Sequence, residues 1–129
     1  PITPVRAFHS RVATFPDSGL FTPNSQRVVS VANGRDAQSG AVTTPDAVPP
    51  RATAVTFNAT VANTSGRGHL SVVPGDTAAT DTSTVNWTGA NEAIANASLS
   101  RLGGDRQLRL IAGPSATFHC IIDITGYYL

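Results

Sequence analysis

Enzyme chemistry needs nucleophiles, acid–base groups or metal ligands at workable spacing, and this chain holds few of them. Its histidines are His9, His69 and His119, and its one cysteine is Cys120. A zinc-type site draws on three or four His, Cys or carboxylate ligands, usually in closely spaced pairs. Two of the three histidines have no His or Cys partner at such a spacing. The sequence therefore predicts histidines on the surface or packed in sheets, with no metal and no cofactor. One cysteine cannot form an intramolecular disulfide. Cys120 shares one side of an alternating segment with Phe118 and Ile122. It is expected to be buried and reduced, because free cysteine packs as a small hydrophobe.

Asp123 lies between Ile122 and Ile124. A carboxylate in apolar surroundings needs a partner, and Arg6 or Arg11 near the N-terminus can supply one. A catalytic-acid reading would want a second carboxylate, and none is near it in sequence. The structural ion pair is the preferred expectation. No Ser-His-Asp order, glycine-rich phosphate loop or His-Glu-x-x-His motif occurs, so no catalytic residue is assigned. Gly103-Gly104-Asp105 has the composition of a turn. Trp87, Tyr127 and Tyr128 are the only Trp and Tyr residues. Aromatics beside polar groups stack on sugar rings or anchor interfaces. The competing reading packs Trp87 in the core and the tyrosine pair at an edge. Four Asn-x-Ser/Thr sequons start at Asn58, Asn63, Asn86 and Asn96. They are glycan acceptors only in a eukaryotic secreted chain, and follow from composition otherwise.

The elements that must position these residues are strands. Across 129 residues the chain has nine Pro and eleven Gly, 13% charged residues and a formal charge of +1. Thr and Val favour strands, while Gly, Asn and Pro punctuate them, and long helices are hard to place between the breakers. The nine basic residues are all Arg and are scattered, unlike the clustered footprint of a nucleic-acid binder. No apolar run approaches the roughly 20 residues of a membrane helix, and no charged-then-apolar leader opens the chain. Pro1 at the start fits removal of an initiator Met, a processed secreted chain or an excised domain equally.

Residues 1–26 carry Pro1, Pro4, Pro16 and Pro23. They are expected to form an irregular arm with short extended pieces, since proline is excluded from central ladders. Its Phe8, Phe15 and Phe21 are too apolar for a solvated tail, and must bury either on the chain's own sandwich or in contacts between subunits. Residues 27–31 form a short strand ended by Asn33-Gly34, and 35–50 a loop. The clearest strand is Thr53–Val61, where Val55, Phe57, Ala59 and Val61 alternate with Thr56, Asn58 and Thr60. Further strands are expected at 69–73, 84–88, 107–111 and 116–124. Residues 93–102 are Ala-rich enough for a helix and polar enough for a strand. Strands every 10–15 residues with turns between them predict one all-β domain over 1–129, an antiparallel sandwich of jelly-roll or immunoglobulin-like type. No repeat of fixed period is present.

Several of these segments together resemble a β-module of secreted and envelope proteins of actinobacteria, one that often accompanies cell-wall hydrolases. They are Pro4-Val5-Arg6, Ala54–Thr60, the run Gly68-His69-Leu70-Ser71-Val72-Val73-Pro74-Gly75, Thr82–Trp87, Ala95-Asn96 and the closing Ile122-Asp123-Ile124-Thr125-Gly126-Tyr127. The closing segment corresponds to the family's Val-Asp-Val-Thr-Gly-Tyr. The resemblance covers residues 48–129 well and the first 50 weakly. It departs where the family has Asp-Thr-Arg and this chain has His9-Ser10-Arg11. It implies a non-catalytic accessory or architectural role outside the cell, on a cell surface or on a virion.

Two functions follow as expectations. One is a multi-copy structural or assembly subunit of a bacterial envelope, an appendage or an actinobacteriophage particle, self-associating or joining a larger assembly. The other is a glycan- or wall-binding module, attached to a secreted hydrolase.

Overall fold

A computed structural model describes all residues, 1–129, as ten strands and no helix. The strands are β1 (Val5–His9), β2 (Gln26–Ser30), β3 (Gly34–Arg35), β4 (Val42–Thr44), β5 (Ala54–Ala62), β6 (Gly68–Pro74), β7 (Val85–Trp87), β8 (Ile94–Arg101), β9 (Gln107–Ala112) and β10 (His119–Tyr128). They make two antiparallel sheets, ordered β4-β3-β1-β10-β5-β8 and β2-β9-β6-β7. The fold is the antiparallel sandwich that the alternation predicts.

The period-two faces become the core. Val55, Phe57, Ala59 and Val61 of β5 and Cys120, Ile122 and Ile124 of β10 line one inner face. Leu70, Leu108, Leu110, Val85 and Trp87 belong to the same core cluster from the opposite sheet. Burial of these side chains is the main stabilising term, at roughly 1.5–3 kcal/mol for each large residue. Residues 93–102 resolve as strand β8, at an open edge of the larger sheet.

The N-terminal arm is corrected. The prolines flank a strand instead of breaking one: Pro4 precedes β1, and Pro16 and Pro23 lie in the loop that follows it. β1 sits inside the six-stranded sheet, between β3 and β10. Even Ile2 donates its N–H to the Thr125 carbonyl at 3.0 Å. Phe8, Phe15 and Phe21 are 2%, 3% and 0% exposed, so they are core residues and not contacts between subunits. Phe21 exchanges both backbone hydrogen bonds with Phe118, at 2.9 and 3.2 Å, and its ring stacks on the Phe118 ring at 5.1 Å. Phe8 meets Phe21 edge-on at 6.3 Å and Trp87 meets Phe118 at 5.0 Å, which makes a continuous aromatic row. Arg27 lies 3.8 Å over the Phe21 ring and donates to the carbonyls of Asp17, Gly19 and Leu20. The loop is thereby clamped to the sandwich, with a cation–π contact worth about 0.5–2 kcal/mol.

The expected 35–50 loop holds two very short strands, β3 and β4, and delivers Val48 fully into the core. The closing Ile124-Thr125-Gly126 contains a bulge in the β10–β5 register. A β-carbon on Gly126 would lie 2.7 Å from Thr56 Oγ1, so any larger residue at the bulge must displace that hydroxyl.

Candidate functional site

Outward-facing side chains of β6 and β7 line a concave stretch of the surface. In the β6–β7 ladder His69 pairs with Asn86, while their neighbours Leu70 and Val85 point inward. Alternation therefore puts His69 and Asn86 on the outer face. The His69 ring lies flat on Gly113: a β-carbon there would come within 2.6–3.0 Å of three ring atoms. Gly113 also donates its N–H to the His69 carbonyl at 3.0 Å. The ring also lines the concavity.

Two clefts meet at this pair. One, of about 370 Å³, runs past Arg67, Gly68, Trp87, Thr88, Pro114 and Ser115. The other, of about 320 Å³, is walled by Thr80, Asp81, Thr82 and Ser83. His69 and Asn86 line both, so the two clefts are neighbours on the surface and are described together as the groove. The second wall belongs to the segment between β6 and β7, which folds over the outer face of the smaller sheet. Ser71 Oγ donates to the Thr82 carbonyl, Arg109 Nη2 to the Gly75 carbonyl at 2.9 Å, and Gln26 Nε2 to the Ala78 carbonyl at 3.2 Å. These bonds explain why Ser71 and Val73 are buried on a face that would otherwise be wet.

Within the groove Ser83 Oγ donates to Asn86 Oδ1 at 3.1 Å, which orients the amide and turns its Nδ2 outward. The Arg67 guanidinium, the His69 ring nitrogens and the Asp81 carboxylate make no hydrogen bond within the chain. Arg67 and Asp81 stand at opposite ends. The floor is Gly68 over Trp87, whose indole N–H donates to the Gly66 carbonyl at 2.7 Å. A β-carbon on Gly68 would fall 2.6 Å from Trp87 Cζ2, so only glycine lets the strand lie on the indole.

Of the ligand residues expected from sequence, Trp87 is 3% exposed and belongs to the core, touching the groove only as its floor. Tyr127 is half-buried against the core, and Tyr128 is 54% exposed. The two alternate across β10, so they do not form one stacking plate. Asp123 accepts from Arg6, Nε to Oδ1 at 2.8 Å and Nη2 to Oδ2 at 3.2 Å. Arg11 goes elsewhere, to Asn63 Oδ1 at 3.0 Å. His9 and His119 stand on β1 and β10, away from His69 on the other sheet. His119 Nδ1 and Ser10 Oγ share a hydrogen bond at 2.9 Å, and Ser10 Oγ accepts the Cys120 N–H at 2.8 Å. Ser10 is buried, which removes it as an accessible nucleophile. Burial, and then the charge of Arg27, act on the Cys120 thiol in opposite senses; burial dominates and drives its pKa far above the ordinary range.

A second surface is the outer edge of β8, which pairs only with β5. Ile94 through Ser100 carries no charge, and most of the strand is exposed, with Leu99 at 57%. Beyond the β5 ladder, no backbone bond engages residues 94–101. The groove was missed in sequence because it depends on the β6–β7 pairing. The one available signal was that His69 and Asn86 each sit beside an inward-facing core residue.

Comparisons with protein-family models, with curated proteins and with solved structures return no match for this chain.

Proposed function

We propose that this chain is a non-catalytic structural module of a multi-copy assembly, whose copies pair two by two through the free edge of β8. The observation that carries the reading is the composition of that edge. Soluble sheet proteins blunt an exposed edge with Lys, Pro, a bulge or a covering loop. From Ile94 to Ser100, β8 has no charge and no proline, and its register with β5 is regular. Such an edge is a template for another strand.

A second copy is the occupant that the charges favour. Glu92 and Arg101 bracket the uncharged run at opposite ends. Antiparallel pairing centred on Ala97 sets Arg101 of one copy opposite Ala93 of the other, next to its Glu92. Parallel pairing would put Arg101 beside Arg101. Pairing of this kind joins two six-stranded sheets into one. The setting we propose is a bacterial envelope or appendage, or the surface of an actinobacteriophage particle, in keeping with the resemblance of residues 48–129 to actinobacterial envelope modules.

Light scattering over a concentration series tests the reading. The native chain should exceed the monomer mass, and Ala97→Lys should return it to monomer with its circular dichroism unchanged. A monomer at every concentration would refute assembly through this edge.

A further inference from the structure

We propose that the groove across β6 and β7 binds an extended, neutral oligosaccharide. This goes beyond assembly and uses a different face of the molecule. The two open clefts share His69 and Asn86 in their linings, an arrangement suited to a chain laid across the pair more than to a small enclosed ligand. The groove's lining mixes Trp87 and Pro114 with polar side chains, which fits an amphipathic guest better than a purely apolar one. It carries one guanidinium, Arg67, and one carboxylate, Asp81, at opposite ends, so it lacks the convergent positive charge that selects an anion.

Sugar hydroxyls both donate and accept, and the groove offers both partners. Arg67 and Asn86 Nδ2 donate; Asp81 and the Thr and Ser hydroxyls accept. The Asn86 amide is held in place by Ser83 before any ligand arrives, so less side-chain ordering is left for the binding step. A pyranose also presents a C–H face. The His69 ring, packed on Gly113, and the Pro114 ring both line the Arg67 cleft and offer it surface for contact. This moves the sugar-binding role away from Trp87, Tyr127 and Tyr128.

The test is a titration of the isotope-labelled chain, followed by amide and side-chain NMR. The probes are soluble tetrasaccharides of N-acetylglucosamine, glucose, mannose and galactose, with sodium phosphate in a separate series. At least one sugar should shift the signals of His69, the Asn86 side-chain amide and the Trp87 indole N–H. Asn86→Ala should then weaken binding about tenfold, the loss of one well-placed hydrogen bond. Asp81→Asn, in an exposed segment, keeps the fold and should also weaken binding. Tyr128→Ala should leave it unchanged. The proposal is overturned if no sugar moves the groove signals, if shifts appear only at Tyr127 and Tyr128, or if phosphate alone binds.

Discussion

Arg6 and Asp123 face each other across the β1–β10 ladder and share two parallel hydrogen bonds, at 2.8 and 3.2 Å. Their side chains are 27% and 24% exposed, so the pair is partly shielded from water. The same row continues through Asn58 of β5 to Ala97 of β8, across the outer face of the larger sheet. A bidentate, partly desolvated pair is stronger than a surface one. A double-mutant cycle with Arg6→Ala and Asp123→Ala, followed by denaturant unfolding, should give about 1–2 kcal/mol of coupling. The matching cycle with Arg11 should give none, because Arg11 is engaged with Asn63.

Cys120 should resist thiol reagents in the native state and react at the rate of global unfolding. It is fully buried on the inner face of β10, and burial disfavours its thiolate. Cys120→Ser should cost about 1–3 kcal/mol, through a buried hydroxyl in an apolar site. Labelling by a chromogenic disulfide, with and without denaturant, checks the first outcome. A stoichiometric burst without denaturant would contradict it.

The strands that the sequence made legible are those with one wet face and one dry face. Val55 to Val61 and Cys120 to Ile124 alternate, and their inward positions are the core. β8 is ambiguous because both of its faces reach solvent, which erases the alternation that separates strand from helix. β3 and β4 are too short to carry a period. The first 26 residues read as an arm because of their proline content, yet the prolines flank the run from Val5 to His9, which contains none and can join the sheet. The Asp123 partner was legible as one of two arginines. The groove was not, because its walls come from Arg67, residues 80–83 and Pro114, and only the sheet order brings these together.

Stability should fall as pH drops from 7 to 5. The pKa of His9 is lowered by burial first and then by Arg6 and Arg11; that of His119 is lowered by burial first and then by Arg11 and Arg27. A folded-state histidine pKa below its unfolded value favours the neutral ring. The stability it contributes is complete above the ordinary histidine pKa and is lost as pH falls from there through the folded value. Each histidine adds a slope of at most about 1.4 kcal/mol per pH unit. His119→Asn can still hydrogen-bond the Ser10 hydroxyl, as donor or acceptor, without the titration, so it should flatten the profile. Thermal unfolding in buffers between pH 5 and 7 measures the change.

Gly126→Ala tests the bulge in the closing motif. The added methyl would meet Thr56 Oγ1 at 2.7 Å, on a backbone also close to Pro1. Overpacking of this kind costs about 1–3 kcal/mol. Thr56→Ala should recover part of the loss in the double variant, because it removes the obstructing oxygen. Equal destabilisation of the single and double variants would place the strain elsewhere.

Removal of residues 1–26 should unfold the chain, not merely dissociate it. The deletion takes β1 from between β3 and β10, and removes Phe8, Phe15 and Phe21 from the core. Each of those rings alone is worth about 3–5 kcal/mol when truncated, against a total stability of roughly 5–15 kcal/mol. It also strips the Asp123 carboxylate of Arg6, and the Phe118 backbone of its two bonds to Phe21. Phe21→Ala is the milder form of the same test. It should lower stability by about 3–5 kcal/mol and leave the Arg27 guanidinium without its ring. Circular dichroism and light scattering on the truncated chain decide the question. Loss of the sheet signal is the expected outcome. A truncated chain that stays folded while its mass falls to that of a monomer would restore the arm as an assembly element and displace β8 from that role.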